Sequence, residues 1–454
     1  MNALTPARLS STLRRVAAAA VAAAALLALA APPAGATTIE RVVSPGGIEA
    51  WLVHESAVPL IAVEFAFVGG AIQDATGKAG TSAMVASLLD EGAGDLDAKA
   101  FHQLLDGKAV ELSFAADRDA LRGSLRTLTE NRDDAFDDLR LSLTAPRFDP
   151  AAVEITRGQI LSLVRRGATN PTELARQRWW ETAFADHPYG RPVSGTLESV
   201  PTITVDDLKS YARSVLTREN LKVAVVGDID AEAVKTMLDR VFGALPAKAE
   251  LSPVASVSPL GLGRRVVIKL DVPQAVVMFG GAGIARKDPD FMAAYIVNHI
   301  LGGGTFSSRL YQEVREKRGL AYSVYDSLMW LNHAALFLGS TATRADRAGE
   351  ALEVIEKEIH RLAADGPTAE EMAKAKAYLK GSFALNLDSS AKIASLLVQL
   401  QLDEIGIDYF ARRSALIDAV TLDDARRVAK RLLDGGLLVT VAGRPEGLAA
   451  TSAN

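Results

Sequence analysis

The chain of 454 residues has no cysteine, which removes disulfides, thiol nucleophiles and thiolate metal sites together. Histidine is scarce too. The six, at positions 54, 102, 187, 299, 333 and 360, include no H-E-x-x-H or H-x-x-E-H pair, the spacings that bring two imidazoles to one metal. There is no basic excess, since the formal net charge is −5, so nothing argues for a nucleic-acid partner. No nucleotide-binding loop, nucleophile elbow or calcium loop is present. What remains is an ordinary globular composition, about half apolar, on a chain long enough for two domains or more.

The N-terminus reads as a targeting segment. Arg8, Arg14 and Arg15 precede an alanine-rich apolar run, Val16–Ala31, and Ala34-Gly35-Ala36 offers a small-residue cleavage site. The run has 16 residues, short of the ~20 that span a bilayer, and Pro32-Pro33 stops it. Residues 1–36 are therefore expected to be a signal peptide, with export to a bacterial periplasm and no stable membrane anchor afterwards. An uncleaved anchor helix is the alternative.

From Ile39 the pattern runs strand, turn, strand (GIEAWLVHES, then PLIAVEFAFVGGAIQD). A run of helical spacing, TSAMVASLLDEG, follows, with charged helices expected onward to Leu143. NPTELARQRWWETAF is a further amphipathic helix. Ala244–Gly263, rich in Pro, Ala, Ser and Gly, reads as an extended linker. The two sides of that linker repeat one another. TVDDLKSYARSVLTRENLKVAVVGD from Thr204 aligns with TLDDARRVAKRLLDGGLLVTVAGR from Thr421, and EFAFVGGAIQD with VVMFGGAGIARKDPD. Each is a capped helix feeding a valine-rich strand closed by Gly227 or Gly443. The expected architecture is α+β, two homologous α/β-sandwich domains at 37–243 and 264–450 joined by residues 244–263.

One stretch, Leu301–Ser323, carries the chemical interest. Gly302, Gly303 and Gly304 follow a buried-helix pattern, FMAAYIVNHI, and are expected to stop that helix with backbone angles closed to other residues. Thr305, Ser307 and Ser308 are candidate caps for a second helix, SRLYQEVREKRG, and LAYSVYDSLMW then reads as a strand. Arg315, late on that helix, and Tyr322, early on the strand, can be aimed into one space. By residue type alone, a solvated cation and a half-buried phenol read as well.

The wording SSRLxQxxRExxGLxYS after a glycine-rich turn resembles the C-terminal half of the pitrilysin/insulinase zinc peptidases, of the mitochondrial processing peptidase-like branch. The internal duplication is also that family's architecture, so the resemblance covers nearly all of the chain after the signal segment. It implies that Arg315 and Tyr322 are the pair holding substrate backbone near a zinc ion. In the family's active members the first half reads G-x-A-H-x-x-E-H, with two zinc-binding His, a Glu that activates water, and a more distal Glu ligand. Here Gly80 and Met84 stand at the His positions, Ala83 at the general base and Leu163 at the distal ligand. Asp90 and Glu91 lack imidazole partners and read as the end of a helix running into Gly92; His187 falls in a loop the family shares.

The resemblance thus implies a chain that binds no metal and is inactive alone. Its implied partners are a peptide substrate and a homologous, H-x-x-E-H-bearing subunit that holds the zinc. The chain would be the non-catalytic half of a heterodimeric endopeptidase, supplying Arg315 and Tyr322. Two other readings stand beside it, a non-proteolytic peptide-binding or scaffold protein of the same fold and a self-sufficient zinc peptidase with atypical ligands.

Overall fold

The computed structural model describes residues 38–448; the signal-peptide expectation lies outside them. Strands β1 (Glu40–Val43), β2 (Glu49–His54) and β3 (Leu60–Val68) open the chain. Helix α1 (Thr81–Ala86), a short ribbon β4 (Gly92–Ala93) and β5 (Leu96–Asp97), and helix α2 (Ala98–Gly107) follow. Strands β6 (Glu111–Ala116) and β7 (Ala120–Leu128) then lead into helices α3 (Arg132–Thr144), α4 (Pro150–Gly167), α5 (Pro171–Ala183) and α6 (Val205–Val215). Strand β8 (Leu221–Gly227) and helix α7 (Ala231–Phe242) close this half. The second half runs β9 (Arg265–Lys269), β10 (Gln274–Ala282), α8 (Phe291–Asn298), β11 (Ala321–Trp330) and β12 (Ala335–Arg344). It continues with α9 (Ala348–Asp365), α10 (Ala369–Gly381), α11 (Ser390–Leu402), α12 (Tyr409–Ala419), α13 (Leu422–Leu433) and β13 (Leu438–Gly443).

The strands form two mixed sheets, ordered β1-β2-β8-β3-β7-β6 and β9-β13-β10-β12-β11. Apart from β1, the two orders superimpose. In each, one parallel pair (β2 with β8, β9 with β13) adjoins antiparallel pairs throughout. The duplication extends to side chains. Thr204 with Asp207 and Thr421 with Asp424 close reciprocal capping boxes on α6 and α13. Phe65 lies across Gly123 and Phe279 across Gly339, so a β-carbon on either glycine would stand 2.1 or 2.2 Å from the opposing ring.

The central strands of each sheet are buried on both faces, which is why β3 and β8 read as nearly continuous apolar runs. One face of the first sheet (Leu52, Val63, Phe65, Val223, Val225) packs on its own helices. The other face (Trp51, Val53, Ala66, Ala224, Val226) receives Ile393, Leu397 and Val398 of α11, from the far half. In return α5 covers the second sheet, with Trp179 and Ala183 against Leu338 and Leu438. The Trp179 indole donates to Leu438 O at 3.0 Å, and Gln401 Nε2 donates to Val223 O at 2.8 Å. The halves exchange helices, and from Ile39 onward the described chain is one compact unit. The connecting stretch is extended and tied to both sides, through Ser252 with Gln73 and through the Val257 amide to His333 O.

Two expectations need correction. The region before Leu143 is not helical throughout, because β6 and β7 form a hairpin there. The sequence ELSFAADRDALRGSLRTL has a polar turn between alternating segments, and pairing with β3 overrides local helix preference. The charged helix after Gly304 is also not a regular α-helix. His299–Gly303 and Tyr311–Glu316 are wider π-turns, joined by a 3-10 turn at Thr305–Ser307. Among the described residues, no helix is long and apolar enough to cross a membrane.

Candidate functional site

The three glycines do not end their helix by adopting left-handed angles, as the sequence suggested. Gly304 has φ −83°, and the left-handed residue is Thr305, at φ 46°. The glycines are needed for close approach instead. A β-carbon on Gly302 would lie 2.6 Å from Asp326 Oδ2, one on Gly303 3.0 Å from Asn298 Oδ1, and one on Gly304 2.6 Å from His299 O. Of the three candidate caps it is Ser308 that serves, its Oγ accepting from the Tyr311 amide at 3.4 Å.

Arg315 sits in the Tyr311–Glu316 π-turn rather than on an α-helix, and Tyr322 at the start of β11. The structure brings the two together. The guanidinium carbon of Arg315 lies 4.7 Å from the Tyr322 ring centroid and 4.9 Å from that of Tyr311, whose hydroxyl accepts from Arg315. Pairing of β11 with β12 slips between Ala321 and Val324, so Tyr322 occupies a bulge, a device that re-aims a side chain. Tyr322 is consequently 81% exposed. Strand β11 is the sheet's edge and pairs with β12 alone among the described residues, leaving one row of backbone donors and acceptors open. Phe306, edge-on to Tyr311, and Tyr325 add exposed aromatic surface around the pair.

The positions corresponding to a zinc motif are equally plain. Gly80 precedes α1 at φ 102°, and a β-carbon there would stand 3.1 Å from Gly195 Cα and Ser194 O. Ala83 and Met84 lie on α1, and Met84 is fully buried in the first core. Leu163 is half-exposed on α4, lining a cleft of about 700 Å³ with Asn170, Arg176 and Ser194. None of the four offers an imidazole or carboxylate, and among the described residues no group of three or more His, Asp or Glu could hold a metal ion. These residues do not fit zinc.

Helix α1 is held by a residue the sequence reading missed. Asp74 accepts from the Gly80 and Ser82 amides, both at 2.8 Å, and burial pushes its carboxyl up to about 6. Asp90 and Glu91 lie in the turn after α1, where Glu91 pairs weakly with His102. His187 is structural: Nε2 meets Ala255 O at 2.9 Å, Nδ1 accepts from the Tyr189 amide, and burial lowers its pKa. Asp326, also missed, had a legible signal, since it shares the inward parity of Val324 and Leu328 on a strand.

The fold is a duplicated α/β sandwich, with no imidazole or carboxylate at the four motif positions of one half and an Arg315–Tyr322 contact in the other. Comparison with known proteins bears on the fold and the family. Residues 202–379 match the family model described as Peptidase M16 inactive domain. The chain is 29% identical to an uncharacterized zinc protease of Streptomyces coelicolor over 95% of this chain and 94% of that one. It is 30% identical to the non-peptidase homolog YmxG of Helicobacter pylori over 72% and 75%. A crystal structure of a peptidase M16 inactive domain from Pseudomonas fluorescens superimposes with a TM-score of 0.84 at 25% identity, over 92% of this chain and all of that one. The chain belongs to the peptidase M16 family, and the domain it matches is of the inactive type.

Proposed function

We propose that this protein is the non-catalytic, substrate-binding subunit of a two-chain zinc endopeptidase. It presents Arg315 and Tyr322 to peptide held at an active site whose zinc lies in an H-x-x-E-H-bearing partner. The observation that carries the reading is the Arg315–Tyr322 contact at the bulge of a free edge strand. An extended peptide can add along such an edge through main-chain hydrogen bonds, which asks for no particular sequence. The guanidinium supplies several donors for peptide carbonyls, and the phenol supplies one for a carbonyl or a developing oxyanion. An exposed tyrosine over an arginine contributes little to packing, so the pair is better explained by a ligand than by the fold. The export signal read in residues 1–36 supports a periplasmic location for this assembly.

The test is turnover of the assembled pair. Tyr322→Phe and Arg315→Ala should each lower kcat by about 10²-fold, the usual loss when a transition-state donor is removed, with co-purification of the two chains unchanged. Full turnover in both variants would return the protein to a scaffold role. That role is the second reading, favoured by the non-peptidase naming of the Helicobacter relative.

A further inference from the structure

The buried interior of the glycine turn contains a carboxylate that packing does not require. On β11 the inward row reads Val324, Asp326, Leu328, where an apolar residue would fill the core. Asp326 is only 3% exposed, and burial drives its carboxyl well above the ordinary range. Oδ1 accepts from the Asn298 side-chain amide. The Gly302 and Gly303 amides are directed at the carboxylate, while Oδ2 is wedged against Gly302 without a hydrogen bond of ordinary geometry. Sinking a carboxylate this deep is costly, and such a group commonly fixes one arrangement of its surroundings.

Its place on the chain says which arrangement. Tyr322 lies four residues earlier on Asp326's own strand, across the bulge. Asn298, Gly302 and Gly303 begin the segment that passes through the strained Thr305 to Arg315. Both members of the pair therefore trace back to one carboxylate. Among the described residues no other side-chain hydrogen bond joins the glycine turn to β11, and Arg315's own turn meets the strand through the Leu320 amide donating to Val314 O. We infer that Asp326, clamped by Asn298 and the Gly302–Gly303 backbone, is a positioning residue that fixes the register between the glycine turn and β11, and thereby holds Arg315 against Tyr322. This rests on the presenting role proposed above, so its first readouts use the isolated chain, where no partner is needed.

The near-isosteric Asp326→Asn replaces an acceptor with a donor facing the glycine amides. Hydrogen exchange of the Gly302–Leu310 amides should accelerate about tenfold or more, with β10 and β13 unchanged. In protein labelled at its tyrosine rings, the Tyr322 resonance, assigned with Tyr322→Phe, should move in Asp326→Asn towards its position in Arg315→Ala. The swap Asn298→Asp/Asp326→Asn keeps one amide–carboxyl pair but moves the carboxyl off the glycine amides, and it should behave like Asp326→Asn. Wild-type exchange and an unmoved resonance in Asp326→Asn, or rescue by the swap, would overturn the assignment. If Asp326→Asn does not fold, Asn298→Ser leaves the carboxylate in place and should loosen the same amides by about threefold; wild-type exchange there would overturn it equally. In the assembled pair, Asp326→Asn should lower kcat with KM nearly unchanged. Altered exchange and resonance with full turnover would leave the clamp standing and sink the presenting role instead.

Discussion

The two halves share a frame and differ in what they expose. Both place the same five strands in the same order, cap the same helix with a Thr–Asp box and lay a phenylalanine over a glycine. They diverge between the second and third strand of each sheet's frame. In the first half that segment begins with the six-residue α1, whose start is held by buried Asp74 and which carries the fully buried Met84, and continues through the β4–β5 ribbon and α2. In the second it is a longer helix that widens into π-turns and delivers Arg315 to an 81%-exposed Tyr322. The frame is what packing enforces, because misplacing it costs core contacts. An exposed tyrosine on a free edge is under no such constraint. Function is therefore best sought where the repeat is broken.

The comparison depends on the halves being a single folding unit, and breaking the helix exchange is the strongest way to test it. Trp179→Ala empties a fully buried site and removes the indole bond to Leu438 O, and should cost about 3–5 kcal/mol. Leu397→Ala, its counterpart on α11, should cost about 2–5 kcal/mol. In urea both variants should unfold in one transition reported alike by tryptophan fluorescence and circular dichroism. Two separated transitions would mean the halves are independent domains. A smaller effect probes the duplicated detail. Gly123→Ala and Gly339→Ala each drive a methyl into a phenylalanine ring and should lose about 1–3 kcal/mol apiece. Similar losses support equivalent frames; a silent variant would show that one ring has room to yield.

Much of this frame could be read in the sequence because it rests on periodicity and repetition. The Thr204 and Thr421 segments declare themselves as capped helices feeding buried strands, and duplication makes each confirm the other. The β6–β7 hairpin was lost because its inward residues, Leu112, Phe114 and Ala116, are only partly covered and its register comes from β3, far away in sequence. The π-turns and the Tyr322 bulge were equally hidden, since both depend on what the backbone meets in space. Asp326 explains Gly302 and its partner Asn298 explains Gly303, but only once a strand residue and a helix end 28 positions apart are known to touch. Arg315 and Tyr322 were found through a motif, and geometry alone revealed why they can act together.

The comparison can be sharpened by asking whether the first half could regain a metal. Writing the family motif in, as Gly80→His, Ala83→Glu and Met84→His with Leu163→Glu, supplies three ligands and a general base in one step. The backbone argues against success. Position 80 lies outside α1 at φ 102°, where any residue bearing a β-carbon is strained, and that carbon would press on Ser194 O and Gly195 Cα. A histidine at 84 would replace a side chain with no exposure, putting a polar ring into the apolar core. Imidazoles four residues apart share a metal when both lie on one face of one helix, and here the first ligand position is the residue before the helix begins. Titration calorimetry of the quadruple variant with zinc should show no stoichiometric binding, and its thermal midpoint should fall below wild type. Stoichiometric zinc would mean that α1 extends readily by one residue and that the side chains alone had been lost; its absence would show that the backbone of the first half has moved away from the metal as well.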